Sequence, residues 1–201
     1  MRAFNLGLSI ATATVWAVVA TAGDEPFHPP AISDLRSQTT AGVTVGAKAF
    51  DSATLVKDAF GKLDPVKYGV LPVYVVIENK SDKTVRLSAL TATYIDLDKE
   101  RVDATPASEV RYAGSGPTKP NINPSPLPYP RKVKVKKGPL SDKIIEERAF
   151  AAKILPPGDS ARGFLYFQAV HRGGATLYVA GLVDAATNKD LFYFEIPLEE
   201  H

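Results

Sequence analysis

Acid–base chemistry usually needs a histidine or a tuned carboxylate, and the histidines of this chain are His28, His171 and His201. His28 sits among prolines and His201 is the last residue. His171 stands in the turn His171-Arg172-Gly173-Gly174, where a general base would be accessible. No nucleophile or orienting carboxylate is placed beside it by spacing, and an exposed turn histidine accounts for the same residues. G-x-S-x-G, G-x-x-x-x-G-K-[ST] and H-E-x-x-H are all missing. Asp96, Asp98 and Glu100 alternate, so on a strand they would share a face and could converge on calcium. Lys99 and Arg101 interleave with them as competing cations, and a solvated hairpin turn explains the pattern more simply. With no cysteine there is no thiolate ligand, no cysteine nucleophile and no disulfide. The sequence nominates no catalytic residue, no metal site and no cofactor. The expectation is a non-enzymatic protein, with a hydrolase of unrecognised site as an alternative.

The residues best suited to binding lie together. Arg131, Lys132, Lys134, Lys136 and Lys137 put five cations in seven residues. From Lys119 to Arg148 eight basic groups face three acidic ones. Such a patch attracts an anionic polymer or an acidic partner, less so as salt rises. The alternating valines Val133 and Val135 would equally make an edge strand guarded by lysines. Just before the basic run, six prolines fall between Pro117 and Pro130. They dictate an extended segment that loses little entropy on docking, with Leu127 and Tyr129 as its anchors. Nucleic acid is a poor partner for it, because 24 Lys+Arg against 22 Asp+Glu leave a formal charge of only +2.

The elements that must position these residues follow from periodicity. Met1-Arg2, an apolar run from Ala3 to Val19 and Ala20-Thr21-Ala22 read as a secretory signal peptide over residues 1–22. Residues 23–41 are expected as an extended arm. A single domain over 42–201 follows, interrupted at about 104–148, and no further apolar stretch approaches spanning length. Regular structure is expected to start near Gly42, with alternation at Val43, Val45 and Ala47. A short amphipathic helix is predicted over 52–60. Val70–Glu78 is the clearest strand, and one return strand is expected from Val85 through Ile95. Short helical turns are expected at 106–110 and 144–147. Strands are then predicted at 150–154, 163–170, 177–183 and 191–196. Several of these strands are apolar on both faces, as a central strand covered on its second side would be. Seven or eight strands with a turn every eight to twelve residues give an all-β antiparallel sandwich with short helices and a long proline-rich, basic insertion.

Val75-Val76-Ile77-Glu78-Asn79-Lys80-Ser81-Asp82 resembles the strand–turn–strand of exported bacterial immunoglobulin-like domains. Ile154-Leu155-Pro156-Pro157-Gly158-Asp159-Ser160 through Phe167 is similar to their late proline–glycine corner. The resemblance is to uncharacterised secreted bacterial proteins and implies an immunoglobulin-like sandwich, with no activity attached. The functional expectation is an exported binding or structural module of the envelope or extracellular space, periplasmic or outside. It would dock an envelope protein or anionic polymer through Leu127, Tyr129, Arg131, Lys132, Lys134, Lys136 and Lys137. A small-ligand or carbohydrate-binding domain is the alternative, if Tyr166, Tyr178 and Tyr193 line one face. Asn79-Lys80-Ser81 also matches the N-glycosylation acceptor pattern.

Overall fold

The central strand is written in β-branched residues. In Leu71–Asn79 (β3), Val73, Val75 and Ile77 point to one side and Tyr74 and Val76 to the other, and all are buried. Pro72 falls at the second position, where its missing N–H costs little while its carbonyl accepts from Phe50 N at 2.9 Å. The computed structural model describes residues 27–114 and 138–199.

Before β3 come β1 (Arg36–Thr40) and β2 (Val43–Ala49). After it come β4 (Val85–Arg86), β5 (Thr91–Ile95) and β6 (Arg101–Asp103). Then follow β7 (Ile154–Leu155), β8 (Ser160–Phe167), β9 (Thr176–Ala180), β10 (Val183–Asp184) and β11 (Phe194–Pro197). Three antiparallel sheets result, ordered β1-β2-β3-β8, β11-β9-β5-β6 and β10-β4-β7. The first two are the faces of an all-β sandwich, and the third is a small cap at one end. Val43, Val45, Val73, Val75 and Ile77 meet Tyr94, Leu177, Val179, Phe194 and Ile196 between the faces. Fully burying each such side chain is worth about 1.5–3 kcal/mol.

The first sheet is covered on its other side as well. Helices α1 (Ala53–Phe60), α2 (Ala107–Val110) and α3 (Lys143–Glu147) lie over it. They enclose a second core of Phe50, Phe60, Tyr74, Val110, Leu140, Ile145, Phe164 and Tyr166. Ser52 begins α1 by accepting from Leu55 N, and Gly61 ends it with a φ of 63°. Asp142 caps α3 through Ile144 N at 3.1 Å. Tyr166 Oη donates to Ile145 O at 2.8 Å and ties α3 to β8.

Several expectations give way. Strand structure starts at Arg36, after a 3-10 turn at Ile32–Asp34, and not near Gly42: the polar stretch Arg36–Thr40 pairs with β2 and abuts β11, where Gln38 Oε1 accepts from Glu195 N at 2.6 Å. The return strand over 85–95 is two strands in two sheets. Leu90 N closes a turn on Leu87 O, and the chain crosses from the cap to the far face. The 177–183 strand is likewise divided. Gly181 has a φ of 79°, and a Cβ there would lie 2.0 Å from Ala89 O, so the chain must turn where no side chain fits. Of the 150–154 alternation only Ile154–Leu155 is strand, while Phe150 bonds the edge of β8. The last strand starts at Phe194, after Phe192 has turned with a φ of 55°. Among the described residues the strands thus number eleven, several of them only two residues long.

Candidate functional site

Leu127, Tyr129, Arg131, Lys132, Lys134, Lys136 and Lys137 lie outside the described residues, as do the signal segment 1–22 and His201. The structure does show what flanks the insertion. The described chain stops at Gly114, whose φ of 61° sets it against the carbonyl of Tyr68, and resumes at Gly138, whose N–H donates to Ser141 Oγ at 2.9 Å. Ala113 and Leu140, on either side, are both buried in the aromatic core. The described ends of the expected 104–148 insertion thus lie in the helical layer, with α2 packed against α3.

That layer carries a cationic groove. Lys57, Asp58, Phe60, Lys62, Ile144 and Arg148 are among the residues lining a space of about 800 Å³ between α1 and α3. Lys57 and Lys62 are exposed and make no ion pair among the described residues. Arg148 is held differently: its guanidinium lies over the Phe27 ring, 4.5 Å from the centroid. Its Nη1 is sealed from solvent with no hydrogen-bond acceptor among the described residues. Burial pulls the Arg148 pKa down, opposed by the nearby Asp58 carboxylate. Phe27 in turn packs edge-on to Phe50 and Tyr74 and beside Phe164, so the guanidinium is fixed by a stack of rings.

The opposite regions hold the other sequence candidates. Arg172 N–H donates to Tyr94 Oη at 3.2 Å, that hydroxyl lies 3.2 Å from His171 Nδ1, and His171 Nε2 lies 3.2 Å from Glu199 O. A neutral ring protonated on Nε2 satisfies every partner: Nε2–H donates to the carbonyl and Nδ1 accepts from the hydroxyl. Both ring nitrogens of His171 are thus engaged within the protein. Burial pushes the Tyr94 phenol up. The carboxylates 96–100 fold into a hairpin turn in which Asp96 Oδ1 accepts from Glu100 N at 2.9 Å and Asp98 pairs with Arg172 at 3.3 Å. Among the described residues no group of carboxylates and histidines is placed to hold a metal ion.

The three tyrosines do not share a face. Tyr166 is buried beneath α3, where burial raises its phenol, whereas Tyr178 and Tyr193 stack on each other at 5.3 Å outside the far sheet. Tyr193 remains 49% exposed and the neighbouring Phe192 68%.

Asn79, which the sequence places in a turn and in the glycosylation pattern, is a polar centre of the fold. Its side chain is fully buried, and Nδ2 donates to the carbonyls of Lys83, Leu155 and Pro156 at 2.7, 3.0 and 3.0 Å. Its Oδ1 accepts from Ser81 N and Ser81 Oγ, and its backbone N–H donates to Asp159 O. In this fold the acceptor amide of the glycosylation pattern is consumed by internal bonds. Beside it Asp184, also buried, accepts from Ala186 N and Thr187 N and pairs with Lys83 at 3.3 Å.

The groove residues Lys57, Lys62 and Arg148 were not singled out from the sequence. The available signal was the apolar character of both faces of β3 and β8, which demands a second covering layer and hence a seam within it. No helix of the described residues is long and apolar enough to cross a membrane. No family model matches the chain, and no curated protein matches it. Among solved structures it is similar to ycdA, a candidate lipoprotein of Bacillus subtilis, with TM-score 0.36 and 11% identity over 81% of this chain and 38% of that one. It therefore spans well under half the length of that protein. It is also similar to MPT63, a secreted protein of Mycobacterium tuberculosis, with TM-score 0.32 and 14% identity over 81% of this chain and 92% of that one.

Proposed function

We propose that this protein is an exported, non-enzymatic binding module that docks an acidic envelope partner or anionic polymer through its proline-rich, basic insertion. The carrying observation is the local charge: eight basic groups against three acidic ones from Lys119 to Arg148, in a chain whose other residues carry 16 basic against 19 acidic groups. The placement of both flanks on the helical layer supports the reading, since a patch presented there is backed by a packed core. Export rests on the charged start, apolar run and Ala20-Thr21-Ala22 of the first residues. The meeting of the two resemblance segments at Asn79 supports an immunoglobulin-like sandwich.

The test is a cross-linking pull-down from envelope extract, with the exported protein beside a version in which residues 116–137 are replaced by a short neutral linker. A partner captured by the parent, lost in the replacement and weakened by salt supports the docking reading. A partner retained by both proteins, or none at all, overturns it.

The Tyr178–Tyr193 stack favours a second reading, the binding of a small ligand or carbohydrate on the far sheet. A glycan array probed with the parent and with Tyr193→Ala separates the two: signal lost in the variant favours carbohydrate, and a blank array removes it.

A further inference from the structure

We propose that the groove between α1 and α3 is a binding site for a phosphate monoester, with Lys57 and Lys62 as its mobile cations and Arg148 as its fixed donor. Three observations converge on it. The first is shape: a space of about 800 Å³ falls within the range of small-molecule sites, and Phe60 and Ile144 give its floor an apolar surface for the organic part of an ester.

The second is charge. Lys57, Lys62 and Arg148 against the single carboxylate of Asp58 leave the lining two positive charges in excess. A carboxylate ligand or a phosphodiester would bring only one negative charge. A phosphate monoester brings about −1.5 to −2 at neutral pH, together with three acceptor oxygens. Lys57 and Lys62 have no ion-pair partner of their own to release among the described residues.

The third is Arg148. Its guanidinium is stacked on Phe27, partly withdrawn from water, and one of its donors has no acceptor among the described residues. A planar guanidinium already held in place loses little freedom on meeting an oxyanion. An anion in the groove would also offset the cost of keeping that cation desolvated.

None of these residues lies between 115 and 137, so this site and the docking reading fail independently. The experiment uses the exported protein and titrates glycerol 1-phosphate, with dimethyl phosphate as the singly charged control, followed by calorimetry at low salt. Phosphatidic acid vesicles, with phosphatidylcholine vesicles as control, ask whether the monoester is a lipid headgroup. The expected result is that the monoester binds and dimethyl phosphate binds at least about tenfold more weakly. Lys57→Gln/Lys62→Gln should lose at least about tenfold in affinity, while replacement of residues 116–137 leaves binding unchanged. Because both lysines are exposed, the double variant keeps its fold, which a thermal melt verifies. Binding of phosphatidic acid vesicles without the soluble ester supports the site and assigns it a lipid headgroup. No binding of either probe, or equal affinity in parent and double variant, overturns the proposal.

Discussion

The two sides of the central sheet are built on different chemistry. Toward the sandwich, β2 and β3 present Val43, Val45, Val73, Val75 and Ile77 to an aliphatic core, and the buried polar side chains at its cap end, Asn79 and Asp184, are bonded throughout. Toward the helices, the same sheet presents Tyr74, Phe164 and Tyr166 to a cluster of rings. That side holds two buried polar atoms without a partner among the described residues, Tyr74 Oη and Arg148 Nη1. Asp51 Oδ1, in the connection from β2 to α1, is a third. The sandwich side is closed and complete; the helical side carries the charged groove and the roots of the insertion. Polar groups left unsatisfied lower stability, and natural structures tolerate them chiefly where a site is built.

The comparison breaks most directly at Phe164, whose ring meets Phe27, Phe50, Phe60, Tyr74 and Tyr166. Phe164→Ala should cost about 3–5 kcal/mol in denaturant unfolding, against about 0.5–1.5 kcal/mol for Ile77→Val on the opposite side. A loss below about 2 kcal/mol for Phe164→Ala would show that the ring cluster does not pack as tightly as its contacts imply. Next is Asn79→Ala, which deprives three carbonyls and Ser81 of their partners; a loss of about 3 kcal/mol is expected, since each buried orphan costs about 1–3 kcal/mol. Tyr166→Phe removes only the bond to Ile145 O, and should cost about 1–2 kcal/mol. Faster hydrogen exchange should appear in α3 and not in β9; uniform loss of protection would refute the assignment of that bond to the helical layer.

The smallest effect is pH-dependent and belongs to the sandwich side. Hydrogen bonds from Ala186 N, then Thr187 N and the Lys83 ammonium, hold the Asp184 carboxyl below its ordinary value of 3.8, against the opposing pull of burial. A folded-state value below the unfolded one means the stabilisation is complete above the ordinary carboxylate range. It is lost as pH falls through the lower folded value. Melting temperatures measured from about pH 5 down to about pH 2 should decline less steeply for Asp184→Asn than for the parent. Parallel curves would remove Asp184 from the acid response.

The long alternation of β3, the helix over 52–60 and the turn within Val75–Asp82 were legible because each is decided by neighbours in sequence. The β-branched run could be nothing but a strand, and its two apolar faces foretold the second covering layer. Arg36–Thr40 falls within the expected arm because its pairing is fixed by β2 and β11, with no apolar period of its own. The break between β4 and β5 was hidden for a related reason. Leu87, Leu90 and Ala92 keep an apolar rhythm while the backbone changes sheets, a change forced by the close approach of Gly181 to Ala89. The covering layer was foretold but its groove residues were not, since Lys57 and Arg148 stand far apart in the chain and come to line one space only when α1 and α3 settle on the rings beneath them. His171 and the carboxylates 96–100 were visible as residue types, but their partners, Tyr94, Glu199 and Arg172, belong to the tertiary structure.

Seventy-six residues separate Asn79 from Leu155, and that span makes their clasp a late event in folding. The β1–β2 hairpin is local, but β3 gains its second neighbour only when residues 160–167 are present on the same chain. A growing polypeptide that ends short of Leu155 holds a bare strand edge and an Asn79 amide that can reach Lys83 and Ser81 but not its two distant carbonyls. It has no early folded state to settle into. Such a chain stays pliable through most of its synthesis, which would suit the export proposed above.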